Sequence, residues 1–222
     1  MDGNDVSVEI NNLGILPSFI LIVIVDDVKN SRRAPTLGVS KVTSAPSQHI
    51  VIVGGGASGL GVANNLRSLG FPGKVTILSS EPHPPIDRTR LSKALITDPS
   101  RILLRTNENL KDLDIDLKCT KVTKVDVKLK YVTTEEGEHI TYDKLVLATG
   151  GSPKTLPLPG FKDLKGIYKL RTIAEAKEIV DATSGGKKQV VIVGTGFIGM
   201  EIAIALSKEH DINMIEAEKV PL

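Results

Sequence analysis

The chain has 222 residues, a net charge of +2 and 41% hydrophobic residues, which is enough for one or two domains with a buried core. The weak charge and an aromatic content of 3% argue against binding to nucleic acid. The single cysteine, Cys119, excludes an internal disulfide and a zinc cluster built on several cysteines, so no metal site is expected. We expect a reducing compartment, the cytoplasm, with the mitochondrion as the alternative.

The first 48 residues form an N-terminal strand and a linker. The apolar stretch at 13–25 is shorter than the roughly 20 residues that span a membrane, and it contains Pro17, so no membrane span is expected. Its β-branched part, residues 20–25, predicts a strand. Residues 29–48 are rich in Ser, Thr, Pro, Arg and Lys, which is typical of a linker.

The first glycine-rich motif follows an apolar run at residues 49–53 that predicts a strand. Its glycines, Gly54, Gly56 and Gly59, have the spacing GxGxxG, and an apolar helical pattern comes next. A second apolar run then ends shortly before Glu81. This is the pattern of a dinucleotide-binding unit, in which the glycines cradle a diphosphate and the acid binds a ribose.

The same pattern occurs a second time near the end of the chain. The run at 190–193 precedes Gly194, Gly196 and Gly199, and the next apolar run ends at Glu216. The alternative for each motif is that its glycines merely interrupt a loop. One motif alone would be weak support, whereas two complete units indicate an enzyme that holds two dinucleotides.

The region between the motifs predicts a small β-meander and short helices. Residues 91–96 favour a short helix, and residues 115–132 alternate as β-strands do, with a hairpin turn predicted at 135–138. A buried strand is predicted within 142–153, and an amphipathic helix within 172–182. The predicted fold class is α/β, with tandem Rossmann-like units and a small β-meander.

The chain resembles flavin-dependent pyridine-nucleotide oxidoreductases of the ferredoxin-reductase and apoptosis-inducing-factor-like type, in particular the branch with an N-terminal Rieske module. Four segments carry this resemblance, which extends from His49 to the end: residues 50–59, 86–93, 142–153 and 190–203. Residues 9–27 weakly resemble the last strand of a Rieske module. The two Cys and two His ligands of its iron–sulfur cluster are absent, so no cluster is expected.

The resemblance implies that the first motif holds FAD. It assigns these residues to that cofactor: Gly54, Gly56, Gly59, Glu81, Arg88, Lys93, Thr149 and Gly150. Arg88 and Lys93 would stabilise negative charge on the flavin, the alternative being solvated charges in a loop. For Thr149 and Gly150 the alternative is a plain exit from a strand. The family usually has Tyr where Ile86 stands here.

The resemblance also implies that the second motif holds NAD(P)H, through Gly194, Gly196, Gly199 and Glu216. Lys93 and Glu201 are the implied catalytic residues, with Glu201 facing the nicotinamide and able to pair with Lys93. The alternative for Glu201 is an acid favoured by the dipole at a helix start. Glu216 favours NADH, because an acid there repels the 2′-phosphate of NADPH, although Lys219 is close enough to temper this preference.

The predicted domains are residues 1–48, a candidate remnant of a Rieske module, an FAD-binding domain at 49–160 and an incomplete NAD(P)-binding domain at 161–222. The family continues beyond this point, so a truncated product is expected. A disulfide relay, as in glutathione reductase, is excluded because Cys119 stands alone, and we expect Cys119 to be buried.

The resemblance implies a flavoprotein that passes hydride from NAD(P)H to FAD and electrons to a redox partner, which is a protein or a small-molecule acceptor. One alternative is a truncated, non-catalytic nucleotide-binding or regulatory fragment. The other is a single-nucleotide dehydrogenase with a decayed second site.

Overall fold

The computed structural model describes the strands at residues 7–9 and 23–24, and all of residues 47–157 and 164–217. In chain order the strands are β1 (Ser7–Glu9), β2 (Val23–Ile24), β3 (His49–Val53), β4 (Lys74–Ser79), β5 (Ile115–Cys119), β6 (Val122–Asp126), β7 (Tyr131–Thr134), β8 (His139–Thr141), β9 (Lys144–Leu147), β10 (Gln189–Val193) and β11 (Asp211–Ile215). The α-helices are α1 (Ala57–Ser68), α2 (Leu91–Ala94), α3 (Asn107–Asp112), α4 (Ile173–Thr183) and α5 (Phe197–Leu206). Short 3₁₀ helices lie at Arg88–Arg90 and Pro99–Ile102.

The chain divides into two compact units. The first unit combines Met1–Ile86 with Leu104–Gly151, and the second combines Asp87–Leu103 with Ser152–Leu222. The segment from Asp87 to Leu103, expected in the FAD-binding domain, thus groups with the second unit. The predicted domain limits themselves stay a prediction, since the boundary after residue 160 lies outside the described residues.

The first unit is built on a five-stranded sheet in the order β2-β9-β3-β4-β5. Strands β3, β4, β5 and β9 run parallel, and β2 pairs antiparallel with β9. Val51, Ile52 and Ile77 in β3 and β4 are fully buried, as expected for parallel strands covered on both faces. Helix α1 packs Leu60 and Ala63 against this core. The predicted α/β class with a Rossmann-like parallel sheet is confirmed.

A second sheet of the first unit is the antiparallel meander, in the order β1-β6-β7-β8. Val125 of β6 pairs with Val132 of β7, and both are buried. The turn between β7 and β8 contains Gly137, whose φ of +83° suits glycine. The predicted hairpin turn is therefore confirmed.

Cys119 is exposed, so the expectation of a buried cysteine was wrong. It is the last residue of β5, which lies at the edge of the parallel sheet. The β-like pattern predicted the strand correctly. It could not predict that the Cys119 side chain is exposed, because burial at the end of a strand depends on neighbouring elements.

The N-terminal segment contributes one strand to each sheet of the first unit. Strand β2, at Val23–Ile24, lies within the predicted strand and pairs with Val146 and Leu147 of β9. The rest of that predicted strand, and the linker before residue 47, lie outside the described residues. The prediction of a Rieske remnant stays a prediction.

The second unit contains the parallel pair β10-β11 and helices α2, α4 and α5. Leu95, Ile179 and Leu206 form its buried cluster. Helix α4 begins with a capping box, in which Thr172 accepts from the Glu175 amide and the Glu175 carboxylate accepts from the Thr172 amide. In the described part of the chain no helix is long and apolar enough to cross a membrane.

Candidate nucleotide-binding sites

The first glycine turn connects β3 to α1 and requires glycine at its start. Gly54 has a φ of +124°, and a Cβ there would lie 2.1 Å from the carbonyl oxygen of Ala148. The Ala148 amide donates to the Val53 carbonyl over 2.8 Å, so the end of β9 lies directly against this turn. A side chain at Gly54 would therefore collide with the neighbouring backbone.

The third glycine of each motif lets the helix approach the turn closely. A Cβ on Gly59 would lie 2.0 Å from the Gly54 carbonyl oxygen. In the second motif, a Cβ on Gly199 would lie 2.1 Å from the Gly194 carbonyl oxygen. The two turns thus impose the same steric requirement on helix and strand.

The middle glycines occupy the N-cap positions of α1 and α5. Gly56 and Gly196 have extended backbone conformations, and neither helix start has a side-chain cap. A Cβ on Gly56 would meet no heavy atom within 4 Å. The first amides of a helix lack intrahelical acceptors, so this open space suits a phosphate bound by backbone N–H groups.

Glu81 lies two residues beyond the end of β4. Its amide donates to Ser79 Oγ over 3.2 Å, and its Oε1 lies 3.8 Å from His83 Nε2. The strand register pairs Val53 with Leu78, which makes Ser79 the first residue past the pairing with β3. Ribose binding by Glu81 stays a prediction.

Glu216 does not occupy the position in the second motif that Glu81 occupies in the first. Val193 pairs with Ile215, and Glu216 follows directly, so Glu216 corresponds to Ser79 and not to Glu81. Its Oε2 accepts from both the amide and the hydroxyl of Thr195. The similar spacing of the two acids in the sequence therefore conceals a two-residue difference in structure.

Thr149 and Gly150 follow β9 at the same edge of the sheet as the first glycine turn. The Thr149 amide nitrogen lies 3.1 Å from where a Gly54 Cβ would be. Gly150 has a φ of +71°, and both residues are exposed. The structure thus brings together four of the predicted FAD residues of the first unit: Gly54, Gly56, Gly59 and Thr149.

Arg88 and Lys93 belong to the second unit. The Arg88 Nη1 donates to the Arg171 carbonyl over 2.8 Å. Arg88 and Arg171, together with Ser92 and Ile198, line a cleft of about 50 Å³. This volume is far smaller than the several hundred Å³ typical of ligand pockets. The direct contact between Arg88 and flavin stays a prediction.

The predicted pairing of Lys93 with Glu201 is present, and both residues lie in the second unit, whereas Lys93 was expected in the FAD-binding domain. The Lys93 Nζ forms an ion pair with Glu201 Oε1, and the buried Ser92 hydroxyl donates to Glu201 Oε2 over 2.5 Å. The hydrogen bonds from Lys93 and Ser92, in that order, lower the pKa of the Glu201 carboxyl, so it is held as a carboxylate. Their catalytic role stays a prediction.

Three serine and threonine residues of these sites were missed by the sequence analysis: Ser79, Ser92 and Thr195. Ser92 lies within a segment that carries the family resemblance, and Thr195 is the variable residue of the second glycine motif. Hydroxyl groups have no periodic signature in a sequence, so only the structure shows that Ser92 and Thr195 donate to carboxylates and that Ser79 accepts from the Glu81 amide.

A family model described as pyridine nucleotide-disulphide oxidoreductase matches residues 48–222. Apoptosis-inducing factor 3 from Homo sapiens is 38% identical, covering 85% of this chain and 30% of the relative. Rhodocoxin reductase from Rhodococcus erythropolis is also 38% identical, covering 78% of this chain and 41% of the relative.

A solved structure of a ferredoxin reductase from Rhodopseudomonas palustris superposes with a TM-score of 0.71 and 31% identity, covering 78% of this chain and 43% of that protein. The chain thus spans less than half the length of these relatives. The resemblance inferred from the motifs is confirmed, and the predicted cofactors, FAD and NAD(P)H, agree with it. The chain belongs to the pyridine nucleotide-disulphide oxidoreductase family, with relatives of the ferredoxin-reductase and apoptosis-inducing-factor type.

Proposed function

We propose that this chain is the nucleotide-binding part of a flavoprotein oxidoreductase, with FAD at the first glycine turn and NAD(P)H at the second. The observation that carries this proposal is the shared geometry of the two turns. In both, a Cβ on the third glycine would overlap the carbonyl oxygen of the first, at 2.0 Å and 2.1 Å. Two turns of the same construction in one chain suit two dinucleotides.

The residues of the first turn fit a diphosphate. Gly56 leaves open space in front of the first turn of α1, where backbone N–H groups and the helix dipole attract anionic groups. Ser79, the last residue of β4, and Glu81, two residues beyond it, carry a hydroxyl and a carboxylate that would accept hydrogen bonds from ribose hydroxyls. FAD held at this turn would supply the capacity to take up a hydride from NAD(P)H and to release electrons to an acceptor.

Lys93 and Glu201 form an ion pair in the second unit. Stabilisation of negative charge on the flavin by the Lys93 ammonium, which the family resemblance implies, stays a prediction. Glu201 holds this ammonium through its ion pair, and the hydrogen bond from Ser92 orients the carboxylate. Because the pKa of the Glu201 carboxyl is lowered, it stays a carboxylate at neutral pH.

NADH is the proposed electron donor, because Glu216 places a negative charge directly after β11, where a 2′-phosphate would be repelled. A redox protein is the proposed acceptor, as the name of the similar ferredoxin reductase suggests. A small-molecule acceptor is the alternative.

A second candidate function is that of a nucleotide-binding chain without turnover. One observation favours it: the second unit exposes large apolar side chains on β10 and α5, among them Val193, Phe197 and Ile204, which are 59–74% exposed. An uncovered apolar surface of this kind marks an interaction site. In this role the chain would hold a nucleotide while a partner covers the surface.

Flavin retention tests the proposal. The purified chain is incubated with FAD, desalted and examined by visible absorption, alongside Gly56→Val and Gly196→Val. We expect the unmodified chain and Gly196→Val to retain flavin, and Gly56→Val to lose it, because its side chain fills the space for the diphosphate. Circular dichroism confirms folding of each variant.

The controls separate the candidates. Equal flavin retention by both variants would show that the first turn does not hold FAD. A chain that retains flavin but oxidises no NADH with an artificial electron acceptor would support the second candidate. A chain that retains no flavin, while binding NADH, would contradict the proposed FAD site.

A further inference from the structure

Thr195 holds the carboxylate of Glu216 at two points. Thr195 is the residue between the first two glycines of the second motif, and it is 6% exposed. Its amide donates to Glu216 Oε2 over 2.6 Å, and its hydroxyl donates to the same oxygen over 2.7 Å. The Ala217 amide donates to Oε1 over 2.7 Å. Oε2 is therefore held against the turn that precedes α5, while Oε1 is held by the backbone of the next residue along the chain.

The first turn has no such arrangement, although its backbone is built in the same way. Gly55 stands where the second turn has Thr195, and Ser79 stands where it has Glu216. A Cβ on Gly55 would lie 2.3 Å from Ser79 Oγ, so a threonine could not fit there without movement of Ser79. The threonine–carboxylate contact is thus a property of the second turn and not a requirement of the fold.

We propose that Thr195 is a specificity-determining residue that sets the preference for NADH over NADPH by holding Glu216 in place. This inference rests on the proposed binding of NAD(P)H at the second turn. A carboxylate repels a 2′-phosphate strongly only if it cannot turn away from it. Glu216 follows β11 directly and is exposed. The hydrogen bond from the Thr195 hydroxyl restricts the rotation of its side chain away from the turn.

The Thr195 hydroxyl can be removed with little change in volume. Thr195→Val keeps the branched Cβ and the backbone amide but loses the hydroxyl, whereas Thr195→Ser keeps the hydroxyl. Dissociation constants for NADH and for NADPH are measured by equilibrium titration on the full chain, with Glu216→Gln as the reference for loss of the charge. The ratio of the two constants, rather than either alone, reports the position of the carboxylate.

We expect Thr195→Val to reduce the NADH preference by about tenfold or more, because a hydrogen bond to a charged group is worth at least roughly that factor. Thr195→Ser should keep the preference of the unmodified chain, and Glu216→Gln should reduce it at least as much as Thr195→Val. Thr195→Ala removes the same hydroxyl and gives the same readout if Thr195→Val does not fold.

The outcomes distinguish this inference from the proposed function. An unmodified chain that binds neither nucleotide would contradict the proposed function of the second turn. An unmodified chain that prefers NADH, together with an unchanged preference in Thr195→Val and Thr195→Ala, would overturn the role of Thr195 alone. A loss of preference in Thr195→Ser equal to that in Thr195→Val would also overturn it, since the hydroxyl would then not be the cause.

Discussion

Lys93 and Glu201 are 108 residues apart in the sequence, yet their side chains form an ion pair within the second unit. Lys93 is carried by the short helix α2 and Glu201 by α5, and Ser92 donates to the same carboxylate. Two neighbouring residues of one helix thus hold both oxygens of an acid on another. This ion pair can be tested without any cofactor.

Replacing Lys93 with Ala should raise the pKa of Glu201, because the hydrogen bond from Lys93 is the largest cause that lowers it. The carboxyl carbon resonance of Glu201, followed by NMR as the pH is lowered, measures this change. Lys187→Ala is the matched control, since it removes a different ion pair of the same unit, with Asp211 at 2.7 Å. An equal shift of the Glu201 pKa in both variants would contradict the prediction.

Gly59→Ala should lower the free energy of unfolding by about 1–3 kcal/mol or more, because the new Cβ would overlap the Gly54 carbonyl oxygen at 2.0 Å. Gly61→Ala, in the same helix, is the control. A Cβ at Gly61 meets nothing within 4 Å, so this change should stabilise the chain by about 0.5–1 kcal/mol. Urea denaturation of the two variants gives both values, and destabilisation by Gly61→Ala would refute the steric argument.

Cys119 should react with a thiol reagent in the native chain. It is exposed at the end of β5 and is the single cysteine of the sequence, so one equivalent of label is expected per chain. The rate of reaction with an aromatic disulfide reagent, measured with and without denaturant, checks this. Modification that requires denaturant would indicate a buried thiol and contradict the structure.

His49 makes the stability of the first unit depend on pH. Burial, and then the charge of Lys74, lower the pKa of His49 below its ordinary value of 6.5, while its Nε2 lies 2.9 Å from Thr76 Oγ1. The unfolded chain therefore takes up a proton at a higher pH than the folded chain. Its contribution is fully present above pH 6.5 and is lost as the pH falls from 6.5 to the lowered folded-state pKa.

Denaturation curves between pH 7.5 and 5.5 measure this effect, and His49→Gln should show a smaller loss of stability over the same range, roughly as expected for removal of one titrating group. Identical slopes for the two proteins would show that His49 does not couple folding to protonation.

Most of the fold was predictable because its signals are local. The glycine motifs at Gly54 and Gly194 each follow an apolar strand, and glycine spacing reflects the contacts of one turn with its own helix. Helix α4 has its capping residues, Thr172 and Glu175, next to each other in sequence. The hairpin around Gly137 depends on four or five consecutive residues. Such features are determined by neighbours along the chain.

The positions of the acids that follow the two turns could not be predicted from local sequence spacing. Glu81 and Glu216 have similar spacing from their glycines, and the sequence treats them as equivalent. Only the pairing of β3 with β4, and of β10 with β11, shows that Ser79 is the structural equivalent of Glu216. Strand register is a property of two segments separated by a helix and a loop, and the length of that connection differs between the motifs.

The glycines of the two Rossmann-like units were predictable from the sequence alone, because the positive φ of Gly54 and Gly194 and the close backbone approach at Gly59 and Gly199 disfavour any other residue. Which side chains meet across distant segments depends on tertiary packing. Ser92 and Lys93 contact Glu201, Thr195 contacts Glu216, and Cys119 reaches the surface. These contacts depend on how elements pack in space, and packing follows from the sum of many burial contributions rather than from any pattern of spacing.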